Sequence, residues 1–129
     1  MSQYRYSPLS SGHDSIRLLR LMPHDDESAD IQCELFEYSL QNPSRGTHLY
    51  EALSYVWGDP EKMLPVRMHT HSFNVTVNLH AALLRLRNHY MERILWVDAI
   101  CIDQDNQEEK EHQIRSMAKI YGQAKCVVV

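Results

Sequence analysis

The chain has 129 residues, 43% of them apolar and 23% charged, with a formal net charge of −4. That length fits one domain with a substantial core, and interspersed charge of this sign gives no electrostatic case for nucleic acid or an anionic membrane. No apolar run nears the ~20 residues of a membrane span, the start MSQYRYSPLSSGHDS lacks a signal peptide's apolar stretch, and three scattered cysteines, Cys33, Cys101 and Cys126, fit a reducing setting, cytosolic or nuclear, better than a disulfide framework.

Residues 1–15 are polar and without period, and read as a mobile or loosely docked leader to a domain spanning 16–129. Ile16 to Leu21 (IRLLRL) reads as a strand, Pro23 to Asp30 as an acidic turn, and Ile31 to Leu40 as a half-buried strand with alternating Ile31, Cys33 and Leu35. The two strands make an antiparallel hairpin, followed by a loop from Gln41 to His48. Tyr50 to Trp57 (YEALSYVW) is a short apolar strand stopped by Gly58-Asp59-Pro60. Pro65 to Val77 alternates in two runs around His69-Thr70-His71-Ser72 and predicts a second hairpin. His69 and His71 share a side there, and without a third ligand they read as exposed hairpin residues. Asn78 is placed to cap a helix through residue 90, with Leu79, Ala82, Leu83, Leu86 and Tyr90 on one face. Ile94 to Val97 is a buried-type strand. A second helix is expected from about Gln107 to Tyr121, with Ile114, Met117, Ala118 and Tyr121 inward and Gly122 at its end. Ala124 to Val129 closes the sequence as an apolar strand that reads as central.

The alternation of helix and strand in the later part predicts an α/β fold, an open and mainly parallel sheet with antiparallel hairpins on its N-terminal side. In such sheets ligands bind beyond the carboxyl ends of the strands. Two polar segments follow apolar strands at such ends: Ser54 to Asp59, and Asp98 to Asn106 running into Gln107-Glu108-Glu109. The start of the second helix would add free backbone N–H groups at the same place.

Three segments, YEALSYVWGDP (50–60), NLHAALLRLR (78–87) and LWVDAICIDQDNQEEKEHQIRSMAKIYGQA (95–124), resemble in order and spacing the three motifs of fungal heterokaryon-incompatibility (HET) domains. The resemblance covers roughly residues 49–129. It departs at the hairpin turn, where relatives often carry Asn-Gly and this chain has His69-Thr70-His71, and it implies a domain that continues past Val129. It further implies a cytoplasmic module of fungal nonself recognition and programmed cell death, acting by self-association or through a recognition protein. These domains are distantly similar to Toll/interleukin-receptor (TIR) domains, some of which cleave NAD with a glutamate at the start of a helix. That analogy points to Glu109, with Glu108 as the alternative, as a carboxylate that steadies an oxocarbenium-like ribose or orients water. NAD would be a substrate rather than a tightly bound cofactor. Tyr55, Trp57, Gly58, Asp98, Asp103 and Gln104 are the implied ligand-binding residues, with the two rings stacking on a flat ligand. An inactive fragment or decoy of a larger protein is the remaining alternative.

Each residue also has a plain structural reading. Glu109 lies three residues after Asn106, the spacing of a capping box; on that reading alone Glu109→Gln would be nearly silent. Trp57 and Trp96 suit a core, and Cys101 between Ile100 and Ile102 suits a small buried hydrophobe. Asp98, Asp103 and Gln104 can equally organise their own loop. No metal site is expected from any spacing.

Overall fold

The computed structural model describes residues 3–9, 15–40, 49–54 and 58–128. The first hairpin forms as expected, with β1 (Ser15–Leu21) antiparallel to residues 33–39 of β2 (Gln32–Ser39). After β3 (Glu51–Leu53), the second hairpin pairs β4 (Met63–Met68) with β5 (His71–Thr76). Its turn bends at His69, whose φ of 55° is the left-handed conformation that Asn or Gly would adopt with less strain. Then follow α1 (Val77–Leu86), β6 (Arg93–Trp96), the single turn α2 (Asp98–Cys101), α3 (Gln107–Arg115), α4 (Met117–Gln123) and β7 (Val127–Val128).

All seven strands join one sheet in the order β5-β4-β2-β1-β6-β3-β7. The sheet is evenly mixed rather than mainly parallel. Among the described residues, β2 with β4, β6 with β3 and β3 with β7 are parallel, and the other three pairings are antiparallel. The cause is β1. It fills the middle of the sheet, antiparallel to both β2 and β6, so the first hairpin is central instead of peripheral. Correspondingly β7, which reads as central from its composition, pairs with β3 alone at the edge of the described sheet.

Helices cover both faces. Arg93 and Trp96 point to opposite sides of β6 by strand alternation. Arg93 donates to the Leu86 carbonyl at the end of α1 at 3.2 Å, and Trp96 meets the Tyr121 ring of α4 edge-on at 5.5 Å. Between the layers Leu18, Leu19, Leu83, Leu95 and Trp96 have no solvent exposure. Tyr50 ties α4 to the sheet by donating its hydroxyl to the Ile120 carbonyl. Among the described residues no helix is long and apolar enough to cross a membrane.

The helices correct three expectations. Thr76, not Asn78, caps α1, its hydroxyl accepting from Leu79 N–H at 3.3 Å. The helix ends at Leu86 with Arg87 as its C-cap, so Tyr90 lies beyond it and is 84% exposed. Arg87 is held there because its guanidinium donates to the Asp26, Glu27, Ala29 and Asp30 carbonyls of the acidic turn. The second helix breaks at Ser116 into α3 and α4. The break changes the inward face: Ile114 and Ala118 are exposed, while Gln113 and Ile120 are buried. Met117 and Tyr121 remain half-buried as predicted.

Candidate functional site

The parallel pairing of β3 with β6 sets Glu51 beside Leu95 and Ala52 beside Trp96. Their carboxyl ends therefore lie side by side. Tyr55 and Trp57 follow β3 directly but lie outside the described residues. Gly58 lies against the Asn78 side chain of α1. Its φ is +76°, a backbone conformation that calls for glycine, and a Cβ there would press on the Asn78 side-chain amide at 2.6 Å.

The segment after β6 folds back on itself. Asp98 opens α2, and its carbonyl accepts from the Gln104 side chain at 2.8 Å. Asp103 accepts from Asp105 N–H at 3.2 Å through its carboxylate and from Asn106 N–H at 3.1 Å through its carbonyl. Asn106 then caps α3, its side-chain oxygen accepting from Glu109 N–H at 3.1 Å. The Glu109 carboxylate does not complete a capping box by reaching back to Asn106. It accepts instead from Asp103 N–H at 2.7 Å.

Glu109 has a further partner from the other end of the chain. Arg17 of β1 meets it with both terminal nitrogens, at 2.7 and 2.8 Å, in a fork that is nearly closed to solvent (side chains 5% and 9% exposed). The sheet register explains the encounter. Leu19 faces Leu95 across the antiparallel pair, so continuing two residues sets Arg17 beside Val97, where β6 gives way to α2. The same two nitrogens also donate to the Cys101 carbonyl at 3.3 Å and the Ser7 carbonyl at 2.8 Å, and the guanidinium lies 4.9 Å from the centre of the Tyr6 ring. Burial disfavours the charge on Arg17, but the bond and the charge of Glu109 outweigh it and hold the guanidinium pKa above its ordinary value. Glu108, next door, is exposed.

This corner borders a groove of about 400 Å³ whose lining includes Tyr4, Tyr6, Phe73, Asp103, Gln104 and Asp105. Asp98 is half-buried beside it, and desolvation raises its carboxyl pKa although backbone N–H groups oppose the shift. Burial drives the Cys101 thiol up to about 12, the behaviour of a buried hydrophobe. Another hollow of about 430 Å³, near the end of α1 and lined by residues that include His24, Arg85 and His89, involves none of the residues from Asp98 to Glu109. Among the described residues, no three His, Cys, Asp or Glu side chains gather where a metal would bind.

Of the residues singled out in the sequence, Asp98, Asp103, Gln104 and Glu109 are thus brought into one corner, whereas Gly58 packs against Asn78. Sequence reasoning missed Arg17, hidden in an apolar strand, and the tyrosines of the leader. The leader is docked over residues 3–9: Tyr4 stacks on His69 at 5.8 Å, and Tyr6 donates to the Ile100 carbonyl at 2.5 Å. An alternating Tyr4-Arg5-Tyr6 was the available signal. The same contact corrects the reading of the histidines. His69 and His71 are half-buried beside Tyr4, and His69 Nε2 accepts from Leu35 N–H at 3.1 Å.

Comparison with known proteins gives two findings. The family described as heterokaryon incompatibility protein (HET) matches residues 50–129. A protein of Neurospora crassa named heterokaryon incompatibility protein 6, OR allele, is 35% identical over 134 aligned residues, which take in 94% of this chain but only 19% of that protein. The chain therefore spans about a fifth of that relative's length. No solved structure matches.

Proposed function

The chain belongs to the heterokaryon incompatibility family, and on that premise we propose that it serves as a module of nonself recognition and programmed cell death, acting through contact with itself or with a recognition protein. The observation that carries the proposal is the family match over residues 50–129, which takes in all three motifs. The parallel trio β6-β3-β7 with helices on both faces supports a TIR-like arrangement for this half of the sheet.

In this reading Glu109 is a structural clamp. Both carboxylate oxygens are engaged, by Arg17 and by the Asp103 amide, and its side chain is nearly closed to solvent. A carboxylate so occupied holds the Asp98–Asn106 loop against the sheet, with three of its roughly four acceptor positions taken by Arg17 and the Asp103 amide. The surface that such a clamp shapes is the loop itself, beside the groove floored by Tyr4, Tyr6 and Phe73.

The test is expression, in a fungal host, of the complete natural protein that carries this chain. Death that depends on this domain and disappears when the groove-lining Gln104 and Asp105 are both replaced by alanine supports the proposal. Full viability of hosts expressing the intact protein together with incompatible partner strains would contradict it.

A further inference from the structure

Residues 3–9 join three parts of the molecule that are distant in sequence. Gln3 bridges Ser72 of β5, and Tyr4 N–H donates to the Ser72 carbonyl at 2.8 Å. Tyr6 meets the Phe73 ring edge-on at 6.0 Å, donates to Ile100 at the end of α2, and covers Arg17. Ser7 supplies a carbonyl to the same guanidinium.

The strap and what it covers differ in how firmly they are held. Tyr4, Tyr6 and Leu9 are only half-buried, and Gln3, Arg5, Ser7 and Pro8 are exposed. Beneath lie Arg17, Cys101 and Glu109, all nearly or fully closed to solvent. Segments with few buried apolar contacts and half-exposed side chains open at free energies well below that of global unfolding. The ladders that hold β1 to β2 and β6 use no residue of the strap.

We propose that residues 3–9 are a releasable latch on the Asp98–Glu109 corner, whose undocking admits solvent to Arg17, Glu109 and Cys101 while the sheet stays folded. When it lifts, Arg17 loses the Ser7 carbonyl and the Tyr6 ring, and Ile100 loses the Tyr6 hydroxyl. The ion pair is then left at a surface, where water competes with each of its hydrogen bonds. The latch gives the corner two states, closed and open, and this inference stands whatever the domain's cellular role.

Two buried thiols report on it. Cys33 lies in β2 and Cys101 beneath the latch, both fully buried, so each reacts only when its own surroundings open and the two rates report access. The chain is treated with iodoacetamide and each cysteine's rate is resolved by peptide mass. Exposed Cys126 reacts first. Cys101 reacts about tenfold or more faster than Cys33, because it opens locally whereas Cys33 waits for the sheet. Tyr6→Phe, which removes one hydrogen bond, speeds Cys101 about fivefold, and Tyr6→Ala speeds it further, with Cys33 unchanged in Tyr6→Phe. The phenylalanine variant decides the matter if the alanine variant loosens the whole chain. Equal acceleration of both thiols in Tyr6→Phe, or no acceleration of Cys101 in either variant, overturns the proposal.

Discussion

Helices α1 and α3 both pack on the sheet, yet they are held by opposite chemistry. α1 buries Leu79, Ala82 and Leu83, an apolar stripe at helical spacing. α3 is charged or polar at every position but Ile114, and that isoleucine is 51% exposed. Its inward stripe is Glu109 and Gln113, one turn apart. Glu109 takes Arg17, and Gln113 donates to the Ser15 carbonyl at 3.0 Å, so an i, i+4 pair on the helix meets an i, i+2 pair on β1. The difference is one of tolerance. An apolar anchor loses stability in proportion to what is deleted, whereas a buried charged anchor fails as soon as one partner goes unpaired.

The largest effect is expected from breaking the charged anchor. Glu109→Gln leaves the Arg17 guanidinium buried without a counter-charge and should cost about 3–5 kcal/mol; urea unfolding followed by circular dichroism measures it, and a near-silent variant would reduce Glu109 to a cap. The expectation from capping alone, that glutamine substitutes freely, does not allow for this partner. Deleting part of the apolar anchor comes next. Leu83→Ala should cost roughly 3 kcal/mol, and Leu83→Met under about 1.5 kcal/mol, because volume is what the site requires. A methionine variant as damaged as the alanine one would show that α1 is held by shape more tightly than its stripe suggests.

The caps should behave alike despite the contrast in their helices. Thr76→Ala and Asn106→Ala each remove one acceptor from a first-turn N–H and should each lower stability by about 1 kcal/mol. Markedly unequal losses in the same urea titrations would mean that one of these bonds is not the main role of its residue. The smallest effect concerns Asp98. Desolvation raises its carboxyl pKa in the folded state, so its favourable contribution is fully present below the ordinary aspartate value of about 3.9 and is lost as pH rises through the raised value. Asp98→Asn, which mimics the protonated form, should therefore raise the thermal midpoint slightly at pH 7 and lose that advantage below about pH 4. A gain that is constant across this range would point to a cause other than ionisation.

The same contrast decides what could be read from sequence. β2 and the β4–β5 hairpin were legible from alternation, β1 from its apolar run, and α1 from its apolar stripe, because hydrophobic patterning records burial directly. α3 was legible as a helix but not in its orientation. Ile114, Met117, Ala118 and Tyr121 form a plausible apolar face only if the helix runs unbroken, and neither proline nor glycine marks the break at Ser116. The corner at Asp98–Glu109 could be located, since a polar segment after an apolar strand has few other places to go. Its chemistry could not, because Arg17 is 92 residues from Glu109 in sequence. Arginine amid the apolar residues of IRLLRL was the clue available: a charge in a strand buried on both faces requires a counter-charge. Arg17 also lies before the family match at residues 50–129, so motif comparison alone shows one half of the pair.

The measurement closest to the central claim, that Arg17 and Glu109 act as one clamp, is a double-mutant cycle in urea. Arg17→Met and Glu109→Leu are made singly and together. The account predicts that each single variant loses about 3–5 kcal/mol while the double variant loses about 2 kcal/mol or more less than their sum, its remaining cost being the Asp103 amide and the Cys101 and Ser7 carbonyls left without a partner. Losses that simply add, with a coupling below about 0.5 kcal/mol, would contradict it.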